Sequence, residues 1–195
     1  MARLPNPRIR ERLRDRAVGY VLSHGMGDLT LRPLAKALRT NARMLIYHFG
    51  SREGLMREIL ARLREREDAR IQAWFRASGK PHTLPEFLRW QWRRLSAPRA
   101  RSAERLIFEL YTLALRHPRE YPGVLEDPLA YWRKLTERAG VDSKAGAIEA
   151  TLLLAVTRGL LLDLCATGDR ARVGRAMNMV ARLVENRAAP AKRRE

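Results

Sequence analysis

The segment from residue 28 to residue 60 constrains the fold most, because its pattern predicts two short helices and the start of a third within about thirty residues. Thr30 precedes an apolar run at helical spacing and is the predicted N-cap of the first helix. Thr40 and Asn41 precede a second run, about Ala42–His48, and either residue can cap it. Two short helices joined by about three residues, with polar and basic side chains on the outer side of the second, are typical of a helix-turn-helix.

A longer helix is predicted directly after this pair. Ser51 is its expected N-cap, and Glu53 places a negative charge in the first turn, where the helix dipole favours it. The helix is expected to end near Phe75, and its second half is charged on most sides. Two interpretations stay open: a rigid connector between a DNA-binding head and a separate body, or an exposed helix stabilised by Glu–Arg pairs.

The chain from about Ile9 to Leu60 resembles the N-terminal signature of TetR-family transcriptional regulators. The resemblance implies an all-α fold, with an N-terminal three-helix DNA-binding domain that contains the helix-turn-helix and a C-terminal helical ligand-binding and dimerisation domain. The family usually has glycine in the turn where this chain has Arg39, and a non-glycine residue at positive φ costs free energy. It also usually has an aromatic residue where Ile46 stands, and Lys is common where Arg52 stands. The residues that carry the resemblance are Leu29, Thr30, Leu34, Ala35, Tyr47, His48, Phe49, Ser51, Arg52, Glu53 and Leu55.

The chain is strongly basic, with a net charge of +18 in 195 residues. Residues 1–57 carry +8 and the remaining 138 carry +10, so the N-terminal part is about twice as basic per residue. This favours an anionic partner for that part, with nucleic acid ahead of a membrane surface. A general arginine bias contributes to the total, because 34 of the 39 basic residues are Arg.

Base reading is expected from the segment between Thr40 and His48, placed in the major groove. Arg43 is the predicted bidentate contact to guanine, and Asn41 is expected to read adenine. Ala42 and Met44 are expected to meet thymine methyl groups.

Contacts to backbone phosphates are implied by the resemblance for Thr30, Tyr47, His48 and Arg52. Two alternatives stay open: Tyr47 packed between helices, and His48 as a surface residue near Arg52. A dimer would place two recognition helices one turn of DNA apart, so the predicted partner is double-stranded DNA with a palindromic operator.

The sequence predicts no enzyme, no metal site and no cofactor. The four histidines lie in different segments without an HExxH pattern, and no CxxC pair is present. The single cysteine, Cys165, excludes an internal disulfide and fits a reducing compartment. The N-terminus lacks a secretory signal, and the apolar run Leu152–Ala166 is expected to be too short to span a bilayer and contains Arg158 and Asp163. A cytoplasmic protein without membrane contact is predicted.

Five segments are predicted along the chain. They are a flexible basic arm (1–7), the helix-turn-helix domain (8–50), the connector helix (51–80), a helical effector-binding and dimerisation domain (81–187) and a disordered tail (188–195). No stretch has the period of a strand. Outside the opening segment, the predicted helices are about Arg8–Ser23, Thr83 to Ala97, Arg101–Arg116, around Leu129–Thr136, Ser143–Ala166 and Asp169–Arg187.

The last two helices are predicted to form a four-helix interface with their copies in a homodimer, because each carries apolar residues on two sides. The resemblance implies the same arrangement, and an internal helix pair in a monomer is the alternative. The predicted interface residues are Leu152, Val156, Gly159, Leu160, Met177, Val180 and Val184.

A small-molecule pocket in the body is implied by the resemblance, and Trp92, Phe108, Tyr111 and Trp132 are candidates to line it for a small apolar or aromatic effector. Each of these residues could instead belong to the core. The predicted function is therefore that of a sequence-specific transcriptional regulator, a repressor released from its operator by an effector. The alternative is a basic all-helical module that binds acidic partners or a membrane surface without reading DNA.

Overall fold

The computed structural model describes residues 6–26, 29–77, 83–121, 124, 127–138 and 143–188. These ranges are helical and contain no strand, which confirms the predicted all-α class. The predicted arm and tail lie almost wholly outside the described residues. The α-helices are α1 (Pro7–His24), α2 (Leu31–Ala37), α3 (Ala42–Phe49), α4 (Arg52–Ala77), α5 (Leu84–Leu95), α6 (Arg101–Arg116), α7 (Asp127–Arg138), α8 (Ser143–Thr167) and α9 (Arg170–Ala188).

Local capping signals account for the helix boundaries, which lie within one or two residues of those predicted. The backbone N–H of Met44 donates to Asn41 Oδ1 over 2.9 Å, so Asn41 rather than Thr40 caps α3. Thr83 and Glu86 cap α5 reciprocally. Thr30 occupies the N-cap position of α2 without a side-chain hydrogen bond.

The first compact unit comprises residues 1–77 and 106–122. Within it, α1 and α3 pack on α4, and α2 packs on α3. The apolar residues that the helical spacing places inward are buried, with Val18, Val21, Leu34, Leu45 and Ile59 all at 0% exposure. This core fixes the orientation of the short helix α3.

The turn after α1 is joined to α6 by a single carboxylate. The backbone N–H of Met26, a residue with 0% exposure, donates to Glu109 Oε1 over 2.8 Å. Gly25 leaves room for that carboxylate, because a Cβ at Gly25 would lie 2.8 Å from Glu109 Oε2. Gly25 also has φ +80, which favours glycine.

Arginines of α4 and carboxylates of α1 form an ion-pair network on the surface of the same unit. Arg62 Nε donates to Asp15 Oδ1 over 2.7 Å, and Arg66 Nη2 donates to the same oxygen over 3.0 Å. On the other side, Arg14 pairs with Glu58 and Glu65 of α4. The charged half of α4 is therefore paired across helices, in addition to the pairs within the helix that the sequence suggests.

The replacement Asp15→Asn is expected to lower the melting temperature by about 1–3 °C at neutral pH. The hydrogen bond from Arg62, and then the charges of Arg62 and Arg66, hold the pKa of Asp15 below its ordinary value, although partial burial opposes them. Stabilisation from this carboxylate is present above the ordinary aspartate pKa and is lost as the pH falls through the lowered pKa. Thermal unfolding as a function of pH should show the wild type and the variant converging in acid.

The control is Asp68→Asn, which removes an exposed carboxylate of α4 that has no ion pair among the described residues. Its melting temperature should follow that of the wild type at every pH. Equal pH profiles for the two variants would contradict the role given to Asp15.

The second compact unit comprises residues 78–105 and 123–195. Helix α8 packs on α7 and α9, and α9 also packs on α5. Aromatic side chains fill part of its core, where the rings of Phe87 and Trp132 meet edge to face at 6.0 Å. Gly174 of α9 faces Trp92, since a Cβ added at Gly174 would meet the Trp92 Nε1 at 3.8 Å, an ordinary van der Waals contact.

Helix α8 is more apolar than its longest uninterrupted run suggested. Its segment Gly146–Thr167 is long and apolar enough to cross a membrane by length and composition, whereas the uninterrupted run Leu152–Ala166 within it stays below that length. Ala150, Leu153, Leu161 and Leu164 of this segment are buried inside the unit. Core helices of soluble proteins can have the same composition. The buried residues do not account for the apolar side chains that α8 exposes.

Candidate nucleic-acid interface

The turn between α2 and α3 is tight. Its residue Arg39 has a φ of +54° and is the non-glycine residue with positive φ in the part of the chain that the structure describes. The backbone N–H of Arg39 donates to the Lys36 carbonyl over 3.1 Å, and that of Thr40 donates to the Ala35 carbonyl over 2.9 Å. The cost expected for a non-glycine residue in this turn is thus present in the structure. The side chain of Arg39 is exposed.

Helix α3 is anchored by one side and presents the other to solvent. Leu45 and Phe49 are buried, at 0% and 8% exposure, as their spacing predicts. Arg43 is exposed and makes no ion pair with a described residue. Ile46 and Tyr47 are 38% and 43% exposed. Tyr47 is therefore accessible to a partner, although its ring also contacts the ring of His48.

Asn41 is a poorer candidate for base reading than the sequence suggested. Its Oδ1 accepts the cap hydrogen bond from Met44, and a bidentate contact to adenine would require the same oxygen. Ala42 and Met44, like Thr40, are partly exposed at this end of α3. The outward row available for base contacts therefore centres on Arg43 and Ile46, and Ile46 was not among the residues predicted to read bases.

His48 is not placed for a phosphate contact, which contradicts both of its predicted roles. Its side chain is only 5% exposed, and neither ring nitrogen has a hydrogen-bond partner among the described residues. The reason is its spacing, since His48 follows Leu45 by three residues and shares the anchored side of α3.

Two of the remaining predicted phosphate contacts lie near the start of the motif. Thr30 is exposed at the start of α2. Arg52 Nε donates to the Leu29 carbonyl over 3.1 Å, which ties α4 to the segment that leads into α2. Arg52 therefore has a structural role besides any contact to DNA, and its half-exposed guanidinium keeps further donors.

The exposed cations of α2 and of the turn before α3 were not among the residues predicted to contact DNA. Arg32 and Lys36 project from α2, and no described carboxylate pairs with them or with Arg39. The sequence could have indicated Arg32 and Lys36, because these basic residues are four positions apart and therefore share one side of α2. Together with Arg43 they make this side of the head strongly cationic, as a nucleic-acid surface requires.

The predicted effector-pocket residues do not lie in one unit. Trp92 and Trp132 are buried in the second unit, at 6% and 4% exposure. Phe108 and Tyr111 are partly buried on the part of α6 that belongs to the first unit. The assignment of these four residues to an effector pocket stays a prediction.

Most of the predicted dimer-interface residues are accessible in the second unit. Leu152 is 57% exposed, Gly159 is exposed, and four others are partly exposed, namely Val156, Leu160, Val180 and Val184. Met177 is 1% exposed and belongs to the interior, because α9 turns it inward between Val173 and Ala181. Its place in the interface was wrong.

Comparison with known proteins agrees with this architecture. Residues 14–59 match the family described as "Bacterial regulatory proteins, tetR family". No curated protein matches the chain significantly. The sequence similarity to a family is therefore confined to α1–α3 and the start of α4.

Solved structures extend the similarity over most of the chain. A transcriptional regulator from Rhodococcus sp. Rha1 superposes with a TM-score of 0.74 at 17% identity, covering 91% of this chain and 96% of that one. The multidrug binding protein EbrR complexed with imidazole gives a TM-score of 0.69 at 25% identity, covering 94% and 93%. Residues 14–59 therefore carry the N-terminal domain of the tetR family of bacterial regulatory proteins, and the chain shares the overall fold of solved transcriptional regulators.

Proposed function

We propose that the protein is a homodimeric cytoplasmic repressor that binds a palindromic operator through α3 and is released by a small apolar or aromatic effector. The observation that carries the proposal is the geometry of α3, whose anchored side is buried while Arg43, Ile46 and Tyr47 face outward. We assign residues 8–50 to the DNA-binding head, 51–80 to the connector and 81–187 to the effector-binding and dimerisation body. No residue pattern supports a catalytic role.

A dimer is supported by the line of contact between α8 and α9, which we call the seam. Ion pairs mark this seam at both ends: Arg172 Nη1 lies 2.8 Å from Asp163 Oδ2, and Arg187 Nη1 lies 3.3 Å from Glu149 Oε1. Around each helix, buried residues lie on one side of the seam and exposed apolar residues on the other. The two exposed stripes therefore lie on the same side of the helix pair.

These stripes form the surface that we propose to be covered by a second copy. All of their large members are more than half exposed, which is unusual for apolar side chains of this size. An isologous contact of the pair with its copy would bury them in a four-helix arrangement. The residues are Ile148 (73%), Leu152 (57%), Leu162 (53%), Met179 (57%) and Leu183 (59%).

An effector is supported by the similarity to EbrR, whose structure was solved in complex with imidazole. Trp92 and Trp132, the two predicted pocket residues that lie in the second unit, supply aromatic surface of the kind that such a ligand would use. A ligand regulates only if it binds the DNA-competent and DNA-incompetent states with different affinities. Release of a bound duplex by the ligand is therefore the measurement that defines an effector.

Selection of bound sequences from a random duplex pool at near-physiological salt tests the proposed operator. The expected result is a palindromic consensus whose half-sites are one helical turn apart. Binding that is indifferent to sequence and disappears with added salt would contradict the proposal and favour the basic helical module.

The variant Arg43→Ala is expected to weaken binding to the selected operator by about 1–3 kcal/mol and to relax one base position in each half-site. The reason is the loss of a bidentate contact to guanine from a guanidinium that makes no ion pair with a described residue. Titrations against the consensus and against single-base variants measure both effects.

The matched control is Arg32→Ala, which removes an exposed arginine of the same head from outside α3. It should weaken all sequences alike and lower the salt dependence of binding. If Arg43→Ala also weakened every sequence equally, Arg43 would be a phosphate contact and not a base reader.

A further inference from the structure

A cationic cleft lies between α5 and α9 in the second unit. Its volume is about 380 Å³, within the range of small-molecule sites. All four lining side chains carry hydrogen-bond donors: Arg89 from α5, and Arg175, Asn178 and Arg182 from α9. We call these four residues the arginine cleft.

The three residues from α9 form a single row. They are spaced by three and four positions and therefore share one side of the helix, with Arg175 and Arg182 about 10 Å apart along its axis. Arg89 reaches the row from the facing helix. The cleft thus surrounds one volume with donors from two helices.

Charge compensation inside the arginine cleft is incomplete. Arg89 Nη2 lies 2.6 Å from Glu185 Oε2, so the nearest carboxylate is already engaged. Neither Arg175 nor Arg182 makes an ion pair with any residue in the described part of the chain. The surroundings offer little more, because α5 and α9 together contain eight arginines and only two glutamates.

Packing does not explain this cluster. Arg175, Asn178 and Arg182 are exposed, and the contact between α5 and α9 is made by buried residues such as Leu88, Trp92 and Ala181. A bound anion would offset the repulsion among these positive charges. Guanidinium groups suit that role because their planar fork matches the oxygens of phosphate and carboxylate groups.

We propose that the arginine cleft binds a small polyanion that carries at least two phosphate or carboxylate groups. One group would be held near Arg175 and the other near Arg182, with Arg89 and Asn178 donating between them. This site lies on α5 and α9, whereas the operator contacts are proposed for α3. Arg89, oriented by Glu185, provides the pre-arranged part of the site.

Binding of inorganic tripolyphosphate and of citrate to the full chain, measured by calorimetry at constant ionic strength, tests the proposal. The double variant Arg175→Gln/Arg182→Gln is expected to lose one binding site per chain, or to bind at least about tenfold more weakly. The control Arg133→Gln/Arg170→Gln removes two exposed arginines of the same unit from outside the cleft and should bind like the wild type. The ratio of affinities for the two probes distinguishes a phosphate site from a carboxylate site.

Two outcomes would overturn the proposal: unchanged binding by the cleft variant, or equal weakening in both double variants. The second outcome would mean that overall charge attracts the probes. All four substitutions lie on exposed positions of helices, so circular dichroism and the melting temperature should stay near those of the wild type. Affinity for the selected operator should also be unchanged, which keeps this test independent of the proposed function.

Discussion

Gly54→Ala is expected to destabilise the protein by about 3 kcal/mol or more and to abolish operator binding. Gly54 lies in the first turn of α4, where its backbone N–H donates to Ser51 Oγ over 3.0 Å. A Cβ at this position would lie far inside van der Waals contact of the Phe49 carbonyl oxygen. That oxygen belongs to the last residue of α3, so relief of the clash must displace the recognition helix or unwind its end. Chemical denaturation and duplex titration measure the two effects.

The control for this prediction is Gly19→Ala on α1. An added Cβ at Gly19 meets nothing within 4 Å, and alanine in a helix interior is favoured over glycine by about 0.5–1 kcal/mol. The two glycine replacements in the same head are thus expected to shift stability in opposite directions. A shift in the same direction for both would show that the approach of the Phe49 carbonyl is not the cause.

The double variant Leu152→Glu/Leu183→Glu is expected to be monomeric and to bind the full operator about 10²- to 10⁴-fold more weakly. Leu152 of α8 and Leu183 of α9 are more than half exposed on the two stripes beside the seam. Four added carboxylates in an isologous contact would lie close together in an apolar surface, which is strongly unfavourable. Sedimentation gives the oligomeric state, and titration with full and half operators gives the loss of avidity.

The matched control is Leu115→Glu on α6, where an equally large apolar side chain is 71% exposed outside the stripes. It should remain a dimer and retain operator affinity. A double variant that stayed dimeric would show that the two protomers associate through another surface. The contact between α8 and α9 would then serve only the packing within each protomer.

Helix positions could be predicted from the sequence because their signals are local. Asn41, and Thr83 with Glu86, act within three residues of themselves, and the structure has them as caps. The buried positions of α2 and α3 followed from apolar spacing, as Leu34 and Leu45 illustrate. The family resemblance then supplied the arrangement of the head.

The site was predicted less well, because side-chain direction and distant contacts leave weak local traces. His48 lies on the same side of α3 as Leu45, and this spacing indicated burial. A phosphate contact was predicted instead, because the position resembles one that binds phosphate in the family. Met177 lies on a helix with apolar residues on two sides, and periodicity alone does not say which side faces the core. The contact of Glu109 with Met26 joins residues 83 positions apart, and no pattern in the sequence indicates it.

That contact limits how the protein can be divided. The matched family segment ends at residue 59, yet the buried N–H of Met26 depends on an acceptor contributed by α6. A head transplanted onto another body without α6 would carry an unsatisfied buried donor beside its helix-turn-helix, a loss of about 1–3 kcal/mol. Chimeric regulators built from this chain should therefore keep Glu109 together with the head, and evolutionary exchange of heads and bodies would face the same constraint.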